Sequence, residues 1–96
     1  MILGDADGTS SSIGLIETAL SNLDHSELVV NHNHPFKGGF ITRNFGKPAN
    51  DVHALQLEMT KINYMDDSET KYDKARADKM RGILQKTFSK LIEQLL

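Results

Sequence analysis

A long C-terminal segment with an apolar stripe constrains the fold of this chain more than any other feature. Apolar side chains recur there at helical spacing, at Met80, Ile83, Leu84, Phe88, Leu91, Ile92 and Leu95. We predict a long helix that begins near Thr70, because Asp73 follows three residues later as an analogue of a capping box. A helix with such a stripe must bury it, so the rest of the chain has to supply a layer that packs against it.

Composition indicates one packed unit. The 96 residues suffice for a single small domain, and 39% hydrophobic with 25% charged residues excludes disorder. We find no internal repeat and no linker, so residues 1–96 are interpreted as one unit. The net charge of -2 does not favour a nucleic-acid partner. No apolar run is long enough to span a membrane and no secretory leader is visible, so we expect a cytoplasmic protein without a membrane partner.

Hydrophobic periodicity predicts five elements. A helix over residues 10–23 follows from apolar residues at helical spacing after a Ser/Thr cluster suited to N-capping. Short strands are predicted over 28–30 and 40–42, with a loop rich in Pro and Gly between them. Residues 52–59 alternate so that Leu55 and Leu57 face the core, which predicts a central strand. With the C-terminal helix, the chain is predicted to be an α/β fold of about three strands and two helices.

Two acidic residues near the N-terminus suggest one possible chemistry. Asp5, Asp7, Gly8 and Thr9 match the D-x-D-G-T signature of haloacid-dehalogenase-like phosphatases, in which one carboxylate is the nucleophile and the other the acid/base. Residues 66–67 could then supply an acidic pair around magnesium. A capping turn is the structural alternative, and the short segment before Asp5 favours it.

Three further positions carry residue types that suit binding or catalysis. His32 and His34 could ligate a metal if the chain is extended there, or lie in an exposed loop. Glu58 lies near the end of the predicted central strand, where it suits a general base, although a solvated strand face would look the same. Arg43 follows the pair Gly38-Gly39, where a planar guanidinium could bind a carboxylate bidentately or lie on the surface.

These motifs occur together in an order that resembles one enzyme family. The matching stretches are Gly4-Asp5, Gly8-Thr9-Ser10, His32-Asn33, Pro35-Phe36-Lys37-Gly38-Gly39, Ile41-Thr42-Arg43, Phe45-Gly46, Pro48, Val52-His53-Ala54-Leu55-Gln56-Leu57-Glu58 and Tyr64-Met65-Asp66. In this order and spacing they resemble the C-terminal part of the N-formylglutamate amidohydrolase family. The resemblance implies a fragment of a three-layer α/β/α, zinc-peptidase-like hydrolase that cleaves N-formyl-L-glutamate to formate and L-glutamate in histidine degradation.

The resemblance also implies roles for individual residues. Glu58 matches the carboxylate that moves protons, Arg43 the cation that holds substrate carboxylate, and Asn33, Gly38 and Gly39 further substrate contacts. It implies a divalent metal, expected to be zinc, whose ligands lie mainly in an N-terminal part that this chain lacks. His32 is then a weak candidate ligand.

Two consequences and two alternatives follow from this interpretation. We expect the chain alone to be catalytically incomplete, and we expect it to self-associate through uncovered apolar surface. The alternatives are a magnesium-dependent phosphatase that uses Asp5 and Asp7, and a noncatalytic module that associates with itself.

Overall fold

The computed structural model describes residues 1–24 and 28–96. This part of the chain forms three short strands and three α-helices, in the order β1 (Ile2–Gly4), α1 (Ile13–Leu23), β2 (Asn31–His32), α2 (Phe40–Phe45), β3 (Gln56–Glu58) and α3 (Lys74–Leu95). The predicted α/β class is confirmed, with three helices where two were predicted. None of the helices described is long and apolar enough to cross a membrane.

The strands form one sheet in the order β2-β1-β3. β2 runs parallel to β1, whereas β3 is antiparallel to it and pairs Ile2 with Glu58 and Gly4 with Gln56. Within the described residues β1 is therefore the central strand, and the prediction that residues 52–59 form a central strand is wrong. The ladder takes up only the last part of that stretch, since Val52 forms an isolated bridge with Lys47, and His53 and Ala54 bond to the segment before α1.

The hydrophobic core lies between the sheet and the two long helices. Its buried members come from β1, α1 and α3, namely Leu3, Ile16, Ala19, Leu23, Met80 and Ile83. Leu55 and Leu57 pack against this cluster, so the predicted orientation of the alternating residues is confirmed. Because Leu3 and Leu57 are direct cross-strand partners, α1 and α3 cover the face of the sheet that carries both side chains.

Helix α3 begins later than predicted. Its first residue is Lys74, and the N-cap is Asp73, whose side chain accepts a hydrogen bond from the Arg76 backbone N–H at 3.0 Å. Thr70 instead lies in a turn closed by the Asp66 carboxylate. One side of the apolar stripe is buried in the core, while Phe88, Ile92 and Leu95 stay exposed.

The predicted strand over residues 40–42 is wrong, because these residues begin helix α2. The Thr42 hydroxyl accepts a hydrogen bond from the Gly39 N–H at 3.0 Å and donates one to the Gly39 carbonyl at 2.9 Å. These bonds close the first turn of a helix, and the buried Thr42 side chain fixes that turn in place. Local hydrogen bonding thus overrides the β-propensity of Phe40 and Ile41.

The first predicted strand is displaced along the chain. Residues 28–30 were predicted to be extended and buried, yet β2 lies at Asn31–His32, inside the predicted loop. Val29 is exposed and offers its carbonyl to the N-terminal ammonium. The hydrogen bonds of a parallel ladder join backbone groups and require no particular side chain. The apolar side chains of residues 28–30 therefore did not predict which residues pair.

The Ser/Thr cluster before α1 does more than cap a helix. Ser12 is the N-cap, but its backbone N–H donates to His53 Nδ1 at 3.1 Å, and its side chain makes no capping bond. The Ser10 hydroxyl donates to the Ala54 carbonyl at 2.7 Å. The helix therefore begins at Ile13, three residues later than predicted, and its start is fastened to the segment before β3.

Candidate functional site

The candidate site is built on the turn that follows β1. Ala6, Asp7 and Gly8 all have positive φ, at 52°, 54° and 82°. The turn is held by Asp5, whose carbonyl accepts hydrogen bonds from the Thr9 and Ser10 N–H groups at 3.0 Å each. Asp5 Oδ1 also accepts from the Gly8 N–H at 2.9 Å. The carboxylate of Asp5 thus closes its own turn, as the capping-turn interpretation of the D-x-D-G-T motif predicts.

Asp5 also binds the residue that follows β2. Asn33 Nδ2 donates to Asp5 Oδ1 at 2.6 Å, and the Asp5 N–H donates to Asn33 Oδ1 at 3.0 Å. His32 Nε2 lies 3.1 Å from the same carboxylate oxygen. Asp5 is 2% exposed. A buried carboxylate with this many partners is poorly placed to attack a substrate.

The electrostatic state of Asp5 follows from this burial and these donors. Burial raises the pKa of its carboxyl, but hydrogen bonds from Asn33 and Gly8, together with neighbouring His32, hold that pKa below its ordinary value of 3.8. Asp5 is therefore a fixed negative charge at neutral pH. Its role in this geometry is to position the chain around it.

Asn33 directs the loop that runs from β2 to α2. Asn33 has a φ of 59°, in the left-handed region that Asn tolerates better than most residues. The loop then crosses the end of β1, where the Ala6 N–H donates to the Lys37 carbonyl at 2.8 Å. A Cβ on Gly4 would lie 2.5 Å from the Lys37 carbonyl carbon, so the loop backbone rests directly on the sheet.

The glycine pair was predicted to let a ligand approach the backbone. Gly38 has a φ of 119°, and a Cβ there would overlap the side chain of Thr42. A Cβ on Gly39 would lie 3.4 Å from Gln56 Oε1. Gly38 is therefore needed for packing within the protein, whereas a Cβ on Gly39 would make only an ordinary contact with Gln56.

A cavity of about 220 Å³ opens between this loop and the turn after β1. It is lined by Ala6, Asp7, Thr9, Lys37, Gly38, Thr42 and Arg43. Arg43 was predicted just beyond a strand, and it lies instead in α2, next to buried Thr42. The Lys37 ammonium lies 2.8 Å from Asp7 Oδ2. Two cations and one carboxylate thus line a cavity large enough for a small anion.

Glu58 lies on a different part of the sheet from this cavity. β3 is antiparallel to β1, so its carboxyl end lies beside Ile2, and Glu58 does not line the cavity that contains Arg43. The argument that placed Glu58 at a shared carboxyl edge is therefore wrong. Gln56 Nε2 donates to Glu58 Oε1 at 2.6 Å. Since Gln56 also lies beside Gly39, it links the carboxylate to the loop.

The structure brings some predicted residues together and separates others. His32 and Asn33 meet at Asp5, while Gly38 and Arg43 meet at the cavity. Asp66 accepts hydrogen bonds from Ser68 and the Thr70 N–H, so it organises a surface turn. In residues 1–24 and 28–96 no three His, Asp or Glu side chains converge as metal ligands.

Sequence reasoning assigned no role to Lys37, Thr42 or Gln56. Lys37 stands inside the Pro35 to Gly39 motif and Gln56 shares the face of Glu58, so their positions were visible although their contacts were not. The Asp5 to Asn33 pair joins residues 28 positions apart. Local pattern does not reveal such a pairing.

Comparison with known proteins gives a consistent result. The sequence model described as N-formylglutamate amidohydrolase matches residues 1–65. N-formylglutamate deformylase of Pseudomonas aeruginosa is 40% identical over 62 residues, which cover 64% of this chain and 22% of that protein. N-formylglutamate deformylase of Pseudomonas putida is 53% identical over 34 residues, covering 35% of this chain and 13% of the relative.

A solved structure agrees with the sequence comparisons. The crystal structure of N-formylglutamate amidohydrolase from Ralstonia eutropha superposes with a TM-score of 0.75 at 29% sequence identity. The match covers 94% of this chain and 31% of that chain. This chain therefore spans less than a third of the length of each of these relatives.

Proposed function

Because this chain belongs to the N-formylglutamate amidohydrolase family, we propose that it forms the substrate-binding and proton-transferring part of an amidohydrolase. The proposed reaction cleaves N-formyl-L-glutamate to formate and L-glutamate, and we propose that it is a step of histidine degradation and takes place in the cytoplasm. The observation that carries the proposal is the family match over residues 1–65. That segment contains every residue to which we assign a role in the reaction.

Arg43 is the proposed anchor for a substrate carboxylate. It lines the cavity, and within the described part of the chain no ion pair engages its guanidinium. A guanidinium presents two parallel N–H donors to a carboxylate, which fixes the orientation of the ligand as well as its position. Anchoring by Arg43 would hold the formyl amide in one place relative to the sheet.

Asn33 acts indirectly in this proposal. Its Nδ2 donates to Asp5 Oδ1, and its Oδ1 accepts from the Asp5 N–H. Its Nδ2 also lies 3.1 Å from His32 Nε2. Because these hydrogen bonds occupy the Asn33 amide, it holds in place the loop that carries Gly38 and Gly39 and leads to Arg43. We therefore assign Asn33 the role of a positioning residue, in place of the direct substrate contact that the resemblance implies.

Glu58 is the proposed proton carrier. In formamide hydrolysis the water oxygen forms a bond to the formyl carbon and the C–N bond breaks, while a proton passes from water to the leaving nitrogen. A carboxylate can accept that proton and return it. The hydrogen bond from Gln56 fixes the orientation of Glu58, and Gln56 lies beside Gly39, where the substrate-binding loop begins α2.

The divalent metal implied by the resemblance does not fit the residues described here. His32 contacts the Asp5 carboxylate, which already accepts hydrogen bonds from Asn33 and Gly8. Within the described residues, no third His, Asp or Glu side chain lies close enough to complete a metal site with them. We propose that the ligands for zinc, and the second helical layer of a three-layer α/β/α fold, belong to the remainder of a full-length family member.

The alternative functions lack supporting observations. The phosphatase hypothesis needs Asp5 as a nucleophile, but that carboxylate is buried and closes its own turn. None of the relatives described above is named as a phosphatase. A noncatalytic module is equally unsupported by these names.

A segment exchange tests the proposed function. Residues 1–65 of this chain would replace the matching segment of the P. aeruginosa deformylase, and formate release from N-formylglutamate would be measured. We expect activity in the hybrid and its loss with Glu58→Gln. A hybrid that unfolds at the parental temperature but releases no formate would contradict the proposal.

A further inference from the structure

The cavity at the end of β1 contains a second cation with no assigned role. Lys37 and Arg43 both line it, together with Asp7. The Lys37 ammonium lies 2.8 Å from Asp7 Oδ2, in a pair whose side chains are 62% and 57% exposed. One carboxylate of the protein thus faces two cations. The cavity has the charge pattern of a site for more than one anionic group.

We propose that Lys37 is a specificity-determining residue that binds the second carboxylate of a dicarboxylate ligand, while Arg43 binds the first. This inference rests on the proposed function, because it concerns the ligand of the same cavity. When the site is empty, Asp7 pairs with the Lys37 ammonium. When a dicarboxylate binds, one of its carboxylates takes the place of Asp7.

Both cations arise from fixed points of the backbone. The Lys37 carbonyl accepts a hydrogen bond from the Ala6 N–H, and its main chain packs against Gly4. Arg43 follows Thr42, which is 1% exposed and tied to Gly39. The backbone at both positions is thus held in place, while the exposed Lys37 side chain is free to reorient toward a ligand. The lengths of the two side chains set the range of spacings over which the two cations can contact one dianion.

A ligand carboxylate is expected to displace the Asp7 carboxylate from Lys37 readily. Exposed ion pairs contribute little to stability, so the Lys37 to Asp7 pair costs little to open. Asp7 also repels an incoming carboxylate, since it lines the same cavity. Removing its charge should therefore strengthen dicarboxylate binding, an effect opposite to that of removing the charge of Lys37.

The test uses the full 96-residue chain labelled with ¹⁵N and titrated by NMR. Glutarate is the dianionic probe, its monoamide is the isosteric monoanion, and N-formylglutamate is a third ligand. We expect the parent to bind glutarate roughly tenfold more tightly than the monoamide, because charge-assisted hydrogen bonds are about twice as strong as neutral ones. Lys37→Met should abolish this preference, and Lys37→Arg should keep it. Asp7→Asn should tighten glutarate binding, and the exposed control Lys86→Met should change nothing.

The outcomes separate this inference from the proposed function. Equal affinity of the parent for glutarate and its monoamide, absence of glutarate binding at millimolar concentration, or an unchanged preference in Lys37→Met would each overturn the role of Lys37. If glutarate is discriminated through Lys37 but N-formylglutamate does not bind, the dicarboxylate site stands and the proposed substrate is wrong. The spectrum of each variant without ligand reports whether it is folded.

Discussion

Asn33 and Asp5 exchange two hydrogen bonds across the ends of β1 and β2, one from Asn33 Nδ2 to Asp5 Oδ1 and one from the Asp5 N–H to Asn33 Oδ1. The pair joins the left-handed turn after β1 to the loop that leads to Arg43. A single side chain thus couples the first strand to the cavity. The stability of the fold and the shape of the site depend on the same contact.

Asn33→Ala should therefore destabilise the protein. It removes one of the donors to the buried Asp5 carboxylate and the acceptor of the Asp5 N–H, and it puts Ala at a positive φ. Together these changes should lower the free energy of unfolding by about 2 kcal/mol. Urea denaturation measures this change. Asn44→Ala, at an exposed position of α2, is the matched control. Equal effects of the two substitutions would show that the Asp5 to Asn33 pair contributes nothing to stability.

The pH dependence of stability should report Asp5. Burial raises the pKa of the Asp5 carboxyl, but the hydrogen bonds from Asn33, Gly8 and neighbouring His32 outweigh burial, so the pKa is lower in the folded chain than the ordinary value of 3.8. The stabilisation is complete above the unfolded pKa and is lost as the pH falls toward and through the folded pKa. The free energy of unfolding, measured between pH 3 and pH 6, should rise with pH. The slope of this rise should be smaller in Asp5→Asn and unchanged in Asn44→Ala. A slope unaltered by Asp5→Asn would contradict this assignment.

Two glycines offer opposite outcomes for the same substitution. Gly4→Ala places a Cβ 2.5 Å from the Lys37 carbonyl carbon, and overpacking against backbone should cost about 2–3 kcal/mol of unfolding free energy. Gly82→Ala lies in α3, with nothing within 4 Å of the new Cβ. It should stabilise the helix by roughly 0.5–1 kcal/mol. Thermal unfolding of both variants measures these changes. If Gly4→Ala unfolds at the temperature of the parent chain, the loop backbone does not rest on β1.

How far the sequence predicted this structure depends on the range of the interactions. The apolar periodicity of α1 and α3 and the inward orientation of Leu57 were predictable, because burial on one face sets the pattern. Helix α2 was not, since the hydrogen bonds of Thr42 to Gly39 outweighed the β-propensity around it. The direction of β3 could not be predicted either, because side chains alternate between the two faces in the same way in parallel and antiparallel strands. That error placed Glu58 at the wrong edge of the sheet.

The exposed side of α3 should mediate self-association. Leu84, Phe88 and Ile92 line one groove on this helix, and Phe88 and Ile92 are 56% and 57% exposed. If a second copy covers these side chains, each side chain that becomes fully buried should stabilise the dimer by roughly 1.5–3 kcal/mol. Sedimentation at micromolar concentration should show dimers that Phe88→Gln weakens by about tenfold. Lys86→Gln, on the same helix, is the control, and a monomeric parent chain would refute the prediction.

Glu58 and Arg43 should affect catalysis in different ways when tested at the matching positions of a full-length family member. Glu58→Gln keeps the hydrogen bond to Gln56 possible but removes the proton acceptor, so kcat should fall by about 10²–10⁴ with little change in KM. Arg43→Ala removes binding that ground state and transition state share, so it should chiefly raise KM. Formate release measures both parameters. Turnover at the parental rate by Glu58→Gln would leave Glu58 as a structural partner of Gln56 and nothing more.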